Sequence, residues 1–242
     1  MPRSGQSESY EMLVEFTKDD DPKARALAVM GLAHMAGSTA FAPVVVALFD
    51  PVDEVRTTCA AALGVMNDER ALEPLLEGVK DPCEQTAANC VWALGQIDAK
   101  ACLDAVLDLL CDASRPGHVR VAAATAIGER CEKPHSDIAS HVSVQERARC
   151  RLLSVLEEDP GVDALRGAAV WSLGHLPFDK QTVGVCIDLL EDASEWTVRY
   201  SIEALANFKA AEALEPLEEL AGGPGGETAR LAAQAVEAIH LR

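Results

Sequence analysis

Residues 50–64 read DPVDEVRTTCAAALG, and residues 81–95, 31 positions later, read DPCEQTAANCVWALG. The phrase returns with an altered turn as HVRVAAATAIG at 118–128 and as ALRGAAVWSLG at 164–174. Looser copies are ARALAVMGLA from Ala24, VRYSIEALAN from Val198 and ARLAAQAVEAI from Ala229, the last two with a slip of one residue. Self-similarity at a fixed period of this size is the signature of a repeat array. The Arg of the phrase gives a column of Arg25, Arg56, Ala87, Arg120, Arg166, Arg199 and Arg230, with intervals of 31, 31, 33, 46, 33 and 31.

Each unit reads as a turn, a helix, a second turn and a second helix. Asp50 or Asp81 followed by Pro suits a helix N-cap with Pro at the first helical position, where no backbone donor is lost. Apolar residues then recur at helical spacing, as in Val55, Cys59, Ala62 and Leu63. Gly64, Gly95, Gly128 and Gly174 are expected to close the first helix, because glycine tolerates a left-handed terminal conformation. Pro43, Pro74 or Pro216 opens the second helix, which continues through runs such as PLLEGV, AVLDLL and VCIDLL. Neither helix can bury its apolar stripe alone, and stacking on the next unit supplies the missing wall.

Composition agrees with thin helix-on-helix layers. Aromatics are 4% of the 242 residues, too few for ring packing to dominate a core. The balance of 39 acidic against 21 basic residues gives a formal charge of -18 and argues against nucleic acid as a partner. No run of about 18 apolar residues occurs and the amino terminus lacks a secretion-type stretch, so a soluble cytoplasmic protein without membrane contact is expected; the oligomeric state is left open, with a monomer favoured. The 8 cysteines show no framework spacing and are expected to be reduced.

The phrase D-P-x-x-x-V-R-x-x-A-A-x-A-L-G with a period near 31 resembles HEAT repeats of the phycobilisome-lyase-like type, over residues 19–240. The resemblance implies an all-α fold, a right-handed α-α superhelix of about six helix-pair repeats with capping half-repeats, in which second helices line the concave surface. A single array over 1–242 is expected. A capping helix at 8–17 leads into repeats at 19–49, 50–80, 81–111, 112–157, 158–190 and 191–221, and a terminal helix at 227–240 closes the array. Such folds host pigment lyases, di-iron hydroxylases and scaffolds, so function rests on the site.

A hydroxylase of that kind would need adjacent His-Glu pairs, and none occurs; His34, His118, His135, His141, His175 and His240 are spread singly. The pair spacing of a thiolate metal site is absent too. Cys59 and Cys90 share a column with Ala28, Ala123 and Ala169, and Cys186 shares one with Val44, Leu75 and Val106; all three read as small core residues. Cys83 and Cys111 fall in successive inter-repeat turns, where approach to one another or to His118 would allow metal or redox use. The Arg column reads as a ladder to the turn carboxylates Asp50, Asp81, Asp112, Asp159 and Asp192, which would fix the stacking. No catalytic, cofactor or metal residues are assigned.

Four features remain for partner binding. Registered on the second-helix prolines, one position carries Val46, Glu77, Asp108, Ser154, Asp188 and Glu219, which is either an acidic groove for a basic protein or a solvated face. Trp92 and Trp171 occupy equivalent places five residues after the Arg column, as core fillers or as anchors. Trp196 lies in a turn beside Glu195 and is the better anchor. The interval of 46 holds an insertion at 131–145, expected as a loop with His135 and His141, followed by the basic Arg147, Arg149 and Arg151. The expected function is a non-catalytic scaffold or adaptor holding a protein partner. The alternatives are a bilin lyase or its chaperone-like subunit, and a cysteine-based redox or metal-responsive regulator.

Overall fold

The computed structural model describes residues 4–35, 38–132, 138–158, 163–223 and 226–241, and among these it is helical throughout, with no strand. The helices are α1 (Ser4–Phe16), α2 (Pro22–His34), α3 (Phe41–Val46), α4 (Asp53–Met66), α5 (Leu72–Gly78), α6 (Glu84–Gln96) and α7 (Lys100–Cys111). They continue as α8 (Gly117–Glu132), α9 (Ile138–Glu158), α10 (Asp163–Gly174), α11 (Lys180–Asp188), α12 (Glu195–Asn207), α13 (Leu214–Ala221) and α14 (Glu227–His240). The chain forms two compact units, residues 1–109 with 114–126, and residues 110–113 with 127–242. Within the first unit α2 packs on α4 and α4 on α6; within the second, α10 packs on α12 and α12 on α14.

An Arg–Asp clamp joins successive first helices, as the ladder predicts. Arg25 binds Asp50 in a bidentate pair, Nε to Oδ2 at 2.7 Å and Nη2 to Oδ1 at 2.8 Å, while its Nη1 donates to the Asp19 carbonyl at 2.9 Å. Arg56 repeats the geometry on Asp81 at 2.7 and 2.9 Å, and its Nη1 donates to the Asp50 carbonyl at 3.0 Å. Asp50 thus takes the preceding repeat's Arg on its side chain and its own repeat's Arg on its backbone. In the second unit Arg166 pairs with Asp192 through Nη2, while its Nη1 donates to the Leu156 carbonyl of the preceding helix at 3.2 Å. The paired guanidinium holds the Asp50 and Asp81 carboxyls below the usual carboxylate range. Asp159 lies outside the described residues.

The Asp-Pro turns differ from expectation. In the first repeat Asp21 is an N-cap with Pro22 at the first helical position, but α4 and α6 start two residues later, after Val52 and Cys83. Asp50 and Asp81 instead accept the Val52 and Cys83 amides at 2.9 and 2.8 Å, which orients each carboxylate for the incoming Arg. Pro43, Pro74 and Pro216 are the third residues of α3, α5 and α13, where the backbone donor is still without an intrahelical acceptor.

The column slip near the carboxyl end has a structural consequence. The buried residues Val55, Cys59, Ala60, Ala62 and Leu63 of α4 match Thr197, Ser201, Ile202, Ala204 and Leu205 of α12. Val198 therefore stands where Arg56 does. Arg199 falls one place beyond the column and lies over the Trp196 ring at 5.0 Å instead of clamping a turn. Arg230 pairs with Glu227 of its own helix at 2.5 Å.

The conserved-looking glycines of the phrase do not end their helices. Gly64, Gly95 and Gly128 lie inside α4, α6 and α8, and Gly174 is the last residue of α10. The left-handed terminal residue of α4 is Asn67, at φ 50°. What requires glycine is close approach: a β-carbon at Gly95 would stand 2.8 Å from the Ala126 Cβ, and one at Gly174 2.9 Å from the Ala204 Cβ. At Gly64 and Gly128 the neighbour's indole fills the space, Trp92 at 3.0 Å and Trp171 at 2.8 Å. Leu32, Leu63, Leu94 and Ile127, fully buried, form the repeating core. Each such side chain contributes about 2 kcal/mol of burial free energy.

Cys59, Cys90, Cys102, Cys131 and Cys186 are buried, Cys83 and Cys111 are half-buried, and Cys150 is exposed. Burial raises the Cys90, Cys131 and Cys186 thiols to about 12 and that of Cys59 further. Cys83, at the start of α6, is shifted down by the Thr86 backbone amide and hydroxyl.

Three outcomes follow from this packing. Gly95→Ala removes helix-disfavouring glycine yet should destabilise by about 1–2 kcal/mol through overpacking. Gly184→Ala in α11, with nothing within 4 Å of its β-carbon, should instead stabilise by about 0.5–1 kcal/mol, both read by urea denaturation. A disulfide-exchange reagent at mildly alkaline pH should label Cys150 and Cys83 on the native protein, whereas Cys59, Cys90 and Cys186 should react after unfolding alone.

Candidate functional site

The acidic column is on the surface in both units: Glu77, Asp108, Asp188 and Glu219 are all exposed. They are not equivalent. Glu77 on α5 is paired with Lys80 at 2.5 Å, and Ser154, which fills the column on α9, is half-buried with its hydroxyl donating to the Arg151 carbonyl at 2.9 Å.

In the second unit the structure gathers Asp188 and Glu219 around one cavity of about 850 Å³. Glu191, Glu195 and Glu227 complete its rim, over apolar walls from Ile187, Leu190, Pro216 and Leu220. Registering one position per repeat misses those three carboxylates, because they sit at other positions of the repeat. Glu195 and Glu227 open α12 and α14, where the helix dipole favours negative charge. Their recurrence at helix starts is the signal in the sequence that could have found them. Among the described residues, Glu227 is the one rim carboxylate with an ion pair, to Arg230. No three His, Cys, Asp or Glu among the described residues come together around a point that could hold a metal ion.

Trp196 is the second residue of α12, not part of a turn, and is 60% exposed. Its ring stacks on Tyr200 with centroids 6.3 Å apart. With Tyr200, Leu231, Ala235 and Ala238 it lines a second cavity of about 510 Å³ between α12 and α14. Trp92 and Trp171 are half-buried, each resting on the glycine of the preceding repeat. The Trp171 ring also lies 4.2 Å from that of His175, whose Nδ1 donates to the Trp171 carbonyl at 2.7 Å and whose Nε2 is 3.1 Å from Glu132 Oε1.

The insertion is not a loop over its length. It extends α8 to Glu132 and starts α9 at Ile138, a helix of 21 residues. His135 lies outside the described residues, and His141 falls in α9 with its side chain outside them. Of the basic residues on α9, Arg151 is exposed and Arg147 half-buried. Arg149 is taken up internally, its Nη2 donating to the Pro177 carbonyl at 2.9 Å and its Nε 3.9 Å from Asp179. Cys83 and Cys111 belong to different units. No helix among the described residues is long and apolar enough to cross a membrane.

Comparison with known proteins addresses the fold. The chain is similar to an engineered protein at 20% identity, TM-score 0.53, covering 95% of this chain and 98% of that one. It is also similar to the complex of CpcE and CpcF of phycocyanin lyase from Nostoc sp. PCC7120, at 17% identity and TM-score 0.52, covering 95% and 94%. Human deoxyhypusine hydroxylase aligns at 19% identity and TM-score 0.44, over 96% and 85%. No curated protein matches the sequence. Identities this low show the fold alone, all-α and of the repeat-solenoid class. The description "HEAT repeats" matches residues 10–85, 72–140 and 151–237, which together span most of the chain. With its helix pairs, its Arg–Asp clamps and its phrase recurring after 31 residues, this chain belongs to the HEAT-repeat family.

Proposed function

We propose that the chain is a non-catalytic scaffold or adaptor that captures a basic protein partner on the exposed face of its second helices. The observation that carries this reading is the recurring carboxylate column: Glu77, Asp108, Asp188 and Glu219 are exposed and return at the repeat period. Within each unit, stacking keeps such carboxylates, Glu77 with Asp108 and Asp188 with Glu219, at the repeat spacing without spending core residues on them. Carboxylates held at regular intervals steer and orient a cationic partner more than they add raw affinity. The formal charge of -18 reinforces that preference and opposes a phosphate backbone. Trp196 and the exposed Arg151 would add contacts outside the column. The reading treats residues 1–242 as one array acting as a cytoplasmic monomer.

The test is affinity capture from the native cell followed by mass spectrometry, comparing wild type with Glu77→Lys/Asp108→Lys/Asp188→Lys. All three side chains are exposed, so circular dichroism should be unchanged while partner recovery falls by about tenfold or more. Undiminished capture at low salt would sink the column as the binding face.

A further inference from the structure

We propose that the seam between α12 and α14 is a docking channel for a segment in which arginine or lysine residues are followed by apolar ones. This deepens the scaffold reading and rests on it, by assigning the part of the surface that selects the partner and the chemistry that it selects. Two cavities lie along the same helix pair. The larger, about 850 Å³, is bounded by the starts of both helices and by the ends of α11 and α13. The smaller, about 510 Å³, runs along the helices themselves. Glu195 lines the first and Trp196 the second, so consecutive residues mark where one gives way to the other.

The two ends differ in chemistry. Five carboxylates and no Lys or Arg line the larger cavity. Among the described residues Asp188, Glu191, Glu195 and Glu219 have no cationic partner. Carboxylates gathered in this way raise one another's free energy, and a ligand guanidinium or ammonium relieves it. Because no three of them converge on a single point, the complement is a row of cationic side chains instead of one metal ion. Apolar walls from Ile187, Leu190 and Leu220 would cover the methylene stems of those side chains.

The smaller cavity is mainly apolar and aromatic, with Trp196, Tyr200, Leu231, Ala235 and Ala238, and Arg199, Glu203 and Gln234 supply its polar edge. An indole that is 60% exposed is a costly surface group unless something covers it. Arg199 lies over that ring at 5.0 Å, which leaves the indole for the apolar residues of the segment and not for its cationic ones. The one-residue slip in α12 makes this possible. In the clamped repeats the arginine is spent on a turn aspartate, whereas here the half-buried Arg199 lies over the exposed Trp196.

The experiment is fluorescence anisotropy on the full chain at low salt with dye-labelled hexa-arginine, with and without two trailing leucines. Glu191→Gln/Glu195→Gln/Glu219→Gln should weaken hexa-arginine by about tenfold or more, while Glu8→Gln/Glu11→Gln/Glu15→Gln, removing equal charge from α1, should weaken it less than about twofold. Glu191→Gln/Glu219→Gln, which leaves the first turn of α12 intact, should still weaken it by about threefold or more. The leucines should tighten binding by about threefold, and Trp196→Ala should cancel that gain alone. Equal loss from both triples, no gain from the leucines, or no binding of either peptide would overturn the channel. Failure of these peptides alongside a charge-sensitive capture by Glu77, Asp108 and Asp188 would remove the channel and leave the scaffold reading standing.

Discussion

The structure depends on one bidentate ion pair used repeatedly. In α2 and α4 an arginine in the first turn holds the carbonyl of its own turn and the carboxylate of the next, as Arg56 does with Asp50 and Asp81. Helix pairs of this length cannot bury a core alone, so what matters is the register in which neighbours stack. A planar guanidinium with fixed donor directions sets that register better than apolar contact, which is tolerant of sliding. The pair is largely shielded, with side-chain exposures of 15% and 9% for Arg56 and Asp81. Its contribution is therefore larger than that of an exposed pair such as Arg70 with Asp68.

The rest of the interface follows from the register. Gly64, Gly95, Gly128 and Gly174 come so near the next first helix that a side chain there has no room, at Gly95 with Ala87 in place of the clamping arginine. Trp92 and Trp171 use the space over two of them, and alanines use it over the other two. Cys59, Cys90 and Cys186 complete the layers as small apolar residues, their thiols kept protonated by burial. Where the register slips by one, in α12, the clamp disappears and the same residue types turn outward.

Much of this was legible because the repeats print the same phrase several times. The Arg–Asp pairing could be read from columns alone, since the acceptor recurs 25 residues after each arginine at Asp50 and Asp81. The glycines were misread as helix ends because local propensity is visible in one repeat, while the close approach that requires them involves two. Trp196 was misplaced in a turn for a similar reason: its helix begins one residue before it. Glu191, Glu195 and Glu227 escaped notice because they lie outside the column registered on the second-helix prolines and meet it through stacking alone. The 131–145 insertion looked like a loop because polar residues interrupt the pattern there, yet most of it extends α8 and α9.

Fold and the proposed binding surface are thus separable in this chain. The buried side of each first helix keeps the array in register, and the departures from the phrase, at α12 and along the second helices, are free to vary. The account stands on the clamp coupling one repeat to the next. Its most direct test is a double-mutant cycle on Arg56→Ala and Asp81→Ala by urea denaturation. A coupling free energy of about 1–3 kcal/mol between the two is predicted, and additivity within about 0.3 kcal/mol would contradict it.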